Sequence, residues 1–340
     1  MSTSIHYRMP DGAEIVSENG STVTMRVTLP SDDAGHFGRQ CPSCKRIFRM
    51  HVEDYHALPD DLRLTCPYCC AEENHGEFMT AQQQERARAA LGEYAQQLAA
   101  GMLNEAFSGM ARRVNSRRGA IRIEYSGGSS RSVWPKPLPP ITEEAPIRER
   151  RCAKCGNRYA VFGEHVACPV CGPLPPRIVA EDAVEAQQCS LAALDHLPDA
   201  VLAELREAGS LERTAAGALG SVVSLLETFL RQTFLDRVTG GLALIARKGN
   251  VFQRLDDVAQ LYWDHLVIDL PGAIGTAEWD RLRLLYGIRH LVTHTNGVVD
   301  QRHLDRFPGR GFVLGQRLHV TMGDAREAIQ LARKIIEVVP

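Results

Sequence analysis

Eight of the ten cysteines form four Cys-x-x-Cys pairs: Cys41/Cys44, Cys66/Cys69, Cys152/Cys155 and Cys168/Cys171. The pairs group again, with 21 residues between the first two and 12 between the last two. Two thiolates three positions apart grip one ion from a tight turn, and a second pair completes a tetrahedron. This nested spacing predicts two four-cysteine zinc-ribbon sites, with Zn2+ as a structural cofactor. Iron would use the same ligands, and spacing alone does not separate the two metals. Disulfides would require an oxidising compartment, which nothing at the amino terminus points to. Pro42, Pro67 and Pro169 each follow an opening cysteine, and Gly156 and Gly172 follow closing ones, where the chain often needs φ > 0. Lys45 and Cys70 hold those closing places in the first site, which predicts a less ideal turn there. Cys70 is a candidate to replace Cys69 as ligand, and the isolated Cys189 is expected to be a small buried hydrophobe.

A second set of reactive side chains lies late in the chain, in Trp279-Asp-Arg-Leu-Arg-Leu-Leu-Tyr-Gly-Ile-Arg289-His290-Leu-Val-Thr-His294-Thr-Asn-Gly297. On a helix turning about 100° per residue, Leu284, Leu285, Ile288, Leu291 and Val292 share one arc. Arg289, His290 and His294 fall outside it, so a guanidinium and two imidazoles occupy the side away from the core. Trp279 and Tyr286 are placed on that open side too, as aromatics for a partner subunit to cover. An imidazole titrates near neutral pH and suits proton transfer, and a guanidinium clamps phosphate oxygens bidentately. His290 and His294 also have the i, i+4 spacing of a metal pair. Leu291 stands where a metalloprotease helix would carry its glutamate, which argues against that chemistry.

Arg289-His290-x3-His294, late in the fourth helical segment of an all-helical region, resembles the Arg-x4–6-His motif of HEPN-domain ribonucleases. In that motif a polar residue usually follows the arginine, and His290 fits. The flanking Thr-Asn-Gly-Val-Val-Asp300 is similar to the tail seen after the motif in bacterial members. The resemblance covers residues 181–340 and not the cysteine-rich half. It implies metal-independent cleavage of RNA in a site built by two such domains across a homodimer. His294 would then transfer protons, Arg289 would stabilise charge and His290 would orient. A role as toxin or anti-phage effector is implied by the resemblance alone. Family members without activity dimerise or bind RNA, so the competing expectation is a zinc-ribbon nucleic-acid-binding regulator that dimerises through its helices.

The elements that must position these residues follow from periodicity. Residues 1–79 read as a β-containing region with the first ribbon, in which Val23, Met25, Val27 and Leu29 alternate with polar partners. Residues 80–125 hold a helix capped by Thr80, followed by a basic segment. Between Glu105 and Glu124 stand Arg112, Arg113, Arg117, Arg118 and Arg122 with no acid, a candidate RNA-binding stripe or a solvated junction. Residues 126–147 carry five of the eighteen prolines and read as a linker. The second ribbon spans 148–178, closed by Pro173, Pro175 and Pro176.

The HEPN-like domain, 181–340, is expected to form helices over 181–207, 211–239, 251–267, 276–295 and 324–338, with a hairpin at 310–320. The glycine-rich Phe307-Pro-Gly-Arg-Gly-Phe312 lacks the lysine of a phosphate loop and reads as a turn. The fold class is therefore multidomain and mainly α, with two small β-type ribbons preceding a helical bundle. The chain has 340 residues, 44% hydrophobic and 24% charged, with a net charge of −2. Wholesale disorder is excluded, and any basic surface must be local. No apolar run reaches the roughly 18 residues of a membrane helix. The amino terminus lacks a secretory h-region, so a cytoplasmic location is expected.

Overall fold

The computed structural model describes residues 7–19, 22–115, 135–142 and 148–340. The chain divides into two compact units, 1–162 with 168–172, and 163–167 with 173–340.

The first unit opens with an antiparallel ribbon of β1 (Ala13–Asn19) and β2 (Thr22–Val27). Along β2, Val23, Met25 and Val27 are half-buried and their neighbours exposed, as the alternation requires. Next come β3 (His36–Gln40), β4 (Ile47–His51), α1 (Val52–His56), β5 (Leu64–Thr65), β6 (Glu72–Glu73) and the long α2 (Ala81–Asn115). Thr80 and Gln83 cap α2 reciprocally: the Thr80 hydroxyl accepts from the Gln83 N–H at 3.2 Å, and Gln83 Oε1 accepts from the Thr80 N–H at 3.1 Å. The unit is completed by β7 (Glu149–Arg151), β8 (Arg158–Val161), β9 (Ala167–Cys168) and β10 (Gly172–Pro173).

The sequence places the two cysteine sites in separate ribbons, but one antiparallel sheet in the order β3-β4-β8-β7 joins them. Hydrogen bonding pairs Phe48 with Val161 and Met50 with Tyr159. The seam is buried: Phe48, Met50, Leu64 and Tyr159 are at most 2% exposed. Polar contacts reinforce it. Tyr68 donates to the Ile47 carbonyl at 2.8 Å and accepts from the Phe162 N–H at 2.9 Å. Arg158 forks onto Asp54, and hydrogen bonds from it hold the Asp54 carboxyl down to about 2.

The second unit is helical. It comprises α3 (Pro176–Leu194), α4 (Asp199–Glu207), α5 (Ser210–Arg237), α6 (Gly241–Ile245), α7 (Leu255–Leu266), α8 (Leu270–Ile274), α9 (Thr276–Thr295), α10 (Gln301–Arg306) and α11 (Met322–Val338). Helices α3, α5 and α11 pack on one another, and α9 packs against α5, α8 and α11. Arg281 of α9 pairs with Asp324 and Glu327 of α11. One continuous apolar cluster, including Leu219, Leu226, Phe234, Leu285 and Ile335, fills the interior. No described helix is long and apolar enough to cross a membrane.

Three expectations change here. The stretch 181–207 is two helices, because Pro198 cannot continue α3 and disfavours helical geometry at Leu197. The hairpin at 310–320 does not form. Gly309, Gly311 and Gly315 all have positive φ, and the segment instead returns to the end of α9. There Val299 donates to the Gln316 carbonyl at 2.8 Å and Leu318 to the Gly297 carbonyl at 2.8 Å, with a single bridge between Val298 and Arg317. Helix α10, unforeseen from the sequence, fills the intervening space.

Candidate functional site

The four predicted ligands of each site converge. Sulfur atoms of Cys41, Cys44, Cys66 and Cys69 lie within 4.8 Å of one another, as do those of Cys152, Cys155, Cys168 and Cys171. Separations are 3.6 Å for Cys41–Cys69, 3.7 Å for Cys44–Cys66, 3.4 Å for Cys152–Cys171 and 3.7 Å for Cys155–Cys168. A tetrahedron with metal–sulfur bonds of about 2.3 Å has edges of about 3.8 Å, so the donor sets fit a four-coordinate metal ion. Burial pushes the thiols of Cys66 and Cys168 well above the usual range, while backbone N–H groups draw Cys152 down to about 7 despite its burial. A cation among the four sulfurs would offset the cost of holding them as thiolates there.

All four knuckles make the same left-handed turn, and the first site makes it with Lys45 and Cys70, residues that carry a Cβ. Lys45 has φ 62°, Cys70 58°, Gly156 77° and Gly172 79°. The same bonds recur: Lys45 N–H to the Cys41 carbonyl at 3.0 Å, Cys70 N–H to Cys66 at 3.0 Å, and Gly156 N–H to Cys152 at 2.8 Å. Cys70 therefore occupies the turn position, and Cys69 is the member of the sulfur cluster. Cys189 is exposed on α3 and not a buried hydrophobe, because Val184 and Leu191 mark the inward face of that helix.

Helix α9 carries the second set. Its last turn ends at Asn296 (φ 53°) and Gly297 (φ 82°), whose N–H bonds to the Leu291 carbonyl at 3.0 Å. A Cβ on Gly297 would stand 2.4 Å from the Leu318 carbonyl oxygen, so the chain can reverse there only with glycine. This leaves His294 exposed in the final turn, in ring contact with His290 at 4.5 Å between centroids. Trp279 and Tyr286, placed on the open side by the helical wheel, are each 5% exposed and belong to the core. The wheel misassigns them because α9 is covered along most of its length by three neighbouring helices.

Arg289 and His290 open into a cavity of about 300 Å3 that Glu227, Tyr286, His303 and Arg306 also line. His294 does not line it; its ring packs against that of His290, which does. Burial and the neighbouring His294 push the His290 pKa down, and burial lowers that of His303 as well. Burial raises the Glu227 carboxyl, opposed by Gln253 and by the Arg289 charge. The cavity thus gathers guanidinium groups, two imidazoles held toward their neutral forms, and a carboxyl group. Arg289 also borders a groove of about 610 Å3 floored by Gly217, Gly220 and Ser224 of α5.

His303 and Glu227 were missed by sequence reasoning. Asp300 caps α10 by accepting from the His303 N–H at 2.8 Å, and an Asp three residues before a His was the one available signal. Glu227 gave none, being one acid among many on a long amphipathic helix. Of the arginine stripe, Arg113 is exposed near the end of α2. The Arg112 side chain, and Arg117, Arg118 and Arg122 entirely, lie outside the described residues. Compared with models of known families, with curated proteins and with solved structures, the chain matches none.

Proposed function

We propose that the chain is a metal-independent endoribonuclease of the HEPN type, acting as a homodimer, with two structural zinc sites in its first unit. The observation that carries this reading is the convergence of Arg289 and His290 on one cavity at the end of α9, with the His294 ring packed against His290. RNA supplies its own nucleophile. An imidazole takes the 2′-OH proton, the 2′-oxygen attacks phosphorus, and a second imidazole protonates the departing 5′-oxygen as the P–O5′ bond breaks. The products are a 2′,3′-cyclic phosphate and a 5′-hydroxyl. Arg289 holds the phosphorane oxygens, where an always-charged fork suits developing negative charge. His294 is the proton-transferring residue, oriented by its contact with His290. The glycine- and serine-lined groove beside Arg289 would let the backbone of a second copy come close, bringing two such helices together.

Four thiolates in a tetrahedral arrangement favour zinc, and metal analysis should return about two zinc ions per chain. Iron in place of zinc, or thiols titrating freely with no metal, would count against that assignment. The ribonuclease reading is tested with single-stranded RNA in magnesium-free buffer containing EDTA. Wild type is expected to cleave, and Arg289→Ala and His294→Ala to lose at least roughly 100-fold in rate, the scale of one general acid–base group. RNA that stays bound and intact in all three proteins would instead favour a nucleic-acid-binding regulator.

A further inference from the structure

Three residues that line the cavity at α9 each hold a buried polar atom with no partner among the described residues: the Tyr286 hydroxyl, Glu227 Oε1 and His303 Nε2. They come from three different elements, α9, α5 and α10, so no single turn explains them. Tyr286 is 5% exposed and His303 4%. A buried polar group left unpaired costs roughly 1–3 kcal/mol, and native interiors carry few of them. Three around one cavity mark a place where a ligand completes the hydrogen bonding. The same cavity is lined by the guanidinium-bearing Arg289, Arg302 and Arg306.

Those two sets of groups suit different parts of one molecule. An inorganic anion would use the arginines and leave the Glu227 carboxyl opposed to it. A bare cation would face four arginines, Arg254 being the fourth. A nucleotide satisfies both, since its base offers donors and acceptors to a carboxyl, a hydroxyl and an imidazole, and its phosphate meets guanidinium. About 300 Å3 is at the small end of ligand sites, enough for one nucleotide and not for a stacked pair. RNA is commonly read through single bases turned out of the stack.

We propose that this cavity is a base-reading subsite that takes one unstacked nucleotide, its base against Glu227, Tyr286 and His303 and its phosphate on Arg289, Arg302 and Arg306. As a statement about RNA it rests on the ribonuclease reading of the same site; as a statement about nucleotides it does not. Calorimetric titration of the full chain with the four nucleoside 3′-monophosphates, ribose 5-phosphate and inorganic phosphate tests it. At least one nucleotide is expected to bind roughly tenfold tighter than ribose 5-phosphate, the worth of one well-formed hydrogen bond or more. Glu227→Gln and Tyr286→Phe should each remove that advantage while leaving ribose 5-phosphate binding unchanged and without lowering the melting temperature. Nucleotides binding no tighter than ribose 5-phosphate, or variants binding as wild type does, would overturn the proposal. The two readings fail separately. Base discrimination without any RNA cleavage would sink the ribonuclease and keep the subsite, whereas cleavage at positions unaltered by either variant would keep the ribonuclease and sink the subsite.

Discussion

At the scale of single residues, environment decides what each titratable group can do. His303 and His290 lie on neighbouring elements, and burial pushes both below the ordinary imidazole value of about 6.5. The unfolded chain therefore takes up protons first as the solution is acidified. The stability these groups contribute is fully present above about pH 6.5 and is lost as pH falls toward their folded values. Glu227 has the opposite sign, since a raised carboxyl favours the fold below its unfolded pKa and loses that contribution as pH rises through the folded value. Melting temperature should accordingly fall between about pH 7.5 and pH 5.5, and His303→Gln should shrink that difference; an undiminished difference would show that His303 is not responsible. In the cysteine clusters, Cys69→Ser should lose one of the two metal ions, whereas Cys70→Gly should keep both. Cys70→Gly should also be neutral or stabilising, because the left-handed turn at φ 58° penalises any residue with a Cβ by about 1 kcal/mol. Retention of both ions by Cys69→Ser would reassign the ligand.

At the scale of elements, His303 of α10 and Phe307 just after it press their rings against α9 at a glycine. Gly287 of α9 faces α10, and a Cβ there would stand 2.4 Å from the Phe307 ring and 3.2 Å from His303. Those atoms belong to packed rings and have little room to retreat. Gly287→Ala should destabilise the helical unit by roughly 1–3 kcal/mol, measured by denaturant unfolding, and should displace α10 from α9. Because α10 carries His303 and Arg306, the same variant should weaken any ligand of the cavity more than it lowers the melting temperature of the rest of the unit. Unchanged stability would mean that the α9–α10 contact is looser than the structure has it. Periodicity located α5, α9 and α11 closely, since each is long enough to show a helical period. It failed for α10, whose six residues are too few to show a period, and for the supposed hairpin, where Val313 and Leu314 are 64% and 60% exposed and pair with nothing on their own segment.

At the scale of the molecule, the two units differ in what is available to stabilise them. The helical unit has one continuous hydrophobic cluster of its own. The first unit has a small core around Phe48, Met50 and Tyr159, held between two cysteine clusters that share a sheet. Structural zinc contributes apparent free energies of about 10–16 kcal/mol in small metal-folded domains, more than a core of that size supplies. Releasing the metal with a thiol-reactive mercurial should therefore unfold the first unit, with the helices α3 to α11 largely preserved by circular dichroism. Because β4 pairs with β8, loss of either ion should weaken both sites, so zinc release from Cys69→Ser should also loosen the cluster at Cys152. Independent behaviour of the two sites would contradict the shared sheet.

Both four-cysteine sets were legible in the sequence, because a Cys-x-x-Cys turn is local and its spacing alone dictates how two thiols converge. The helix bearing Arg289, His290 and His294 was legible for the same reason, since a 3.6-residue period places side chains without knowledge of their neighbours. What surrounds that helix was not. Whether Trp279 and Tyr286 meet water or core depends on how many helices cover α9, and the approach of Glu227 and His303 depends on packing between residues 76 positions apart. The joining of the two cysteine sites through β4 and β8 likewise spans more than a hundred residues. Contacts of that separation are selected by the burial of whole faces, which only the tertiary structure decides.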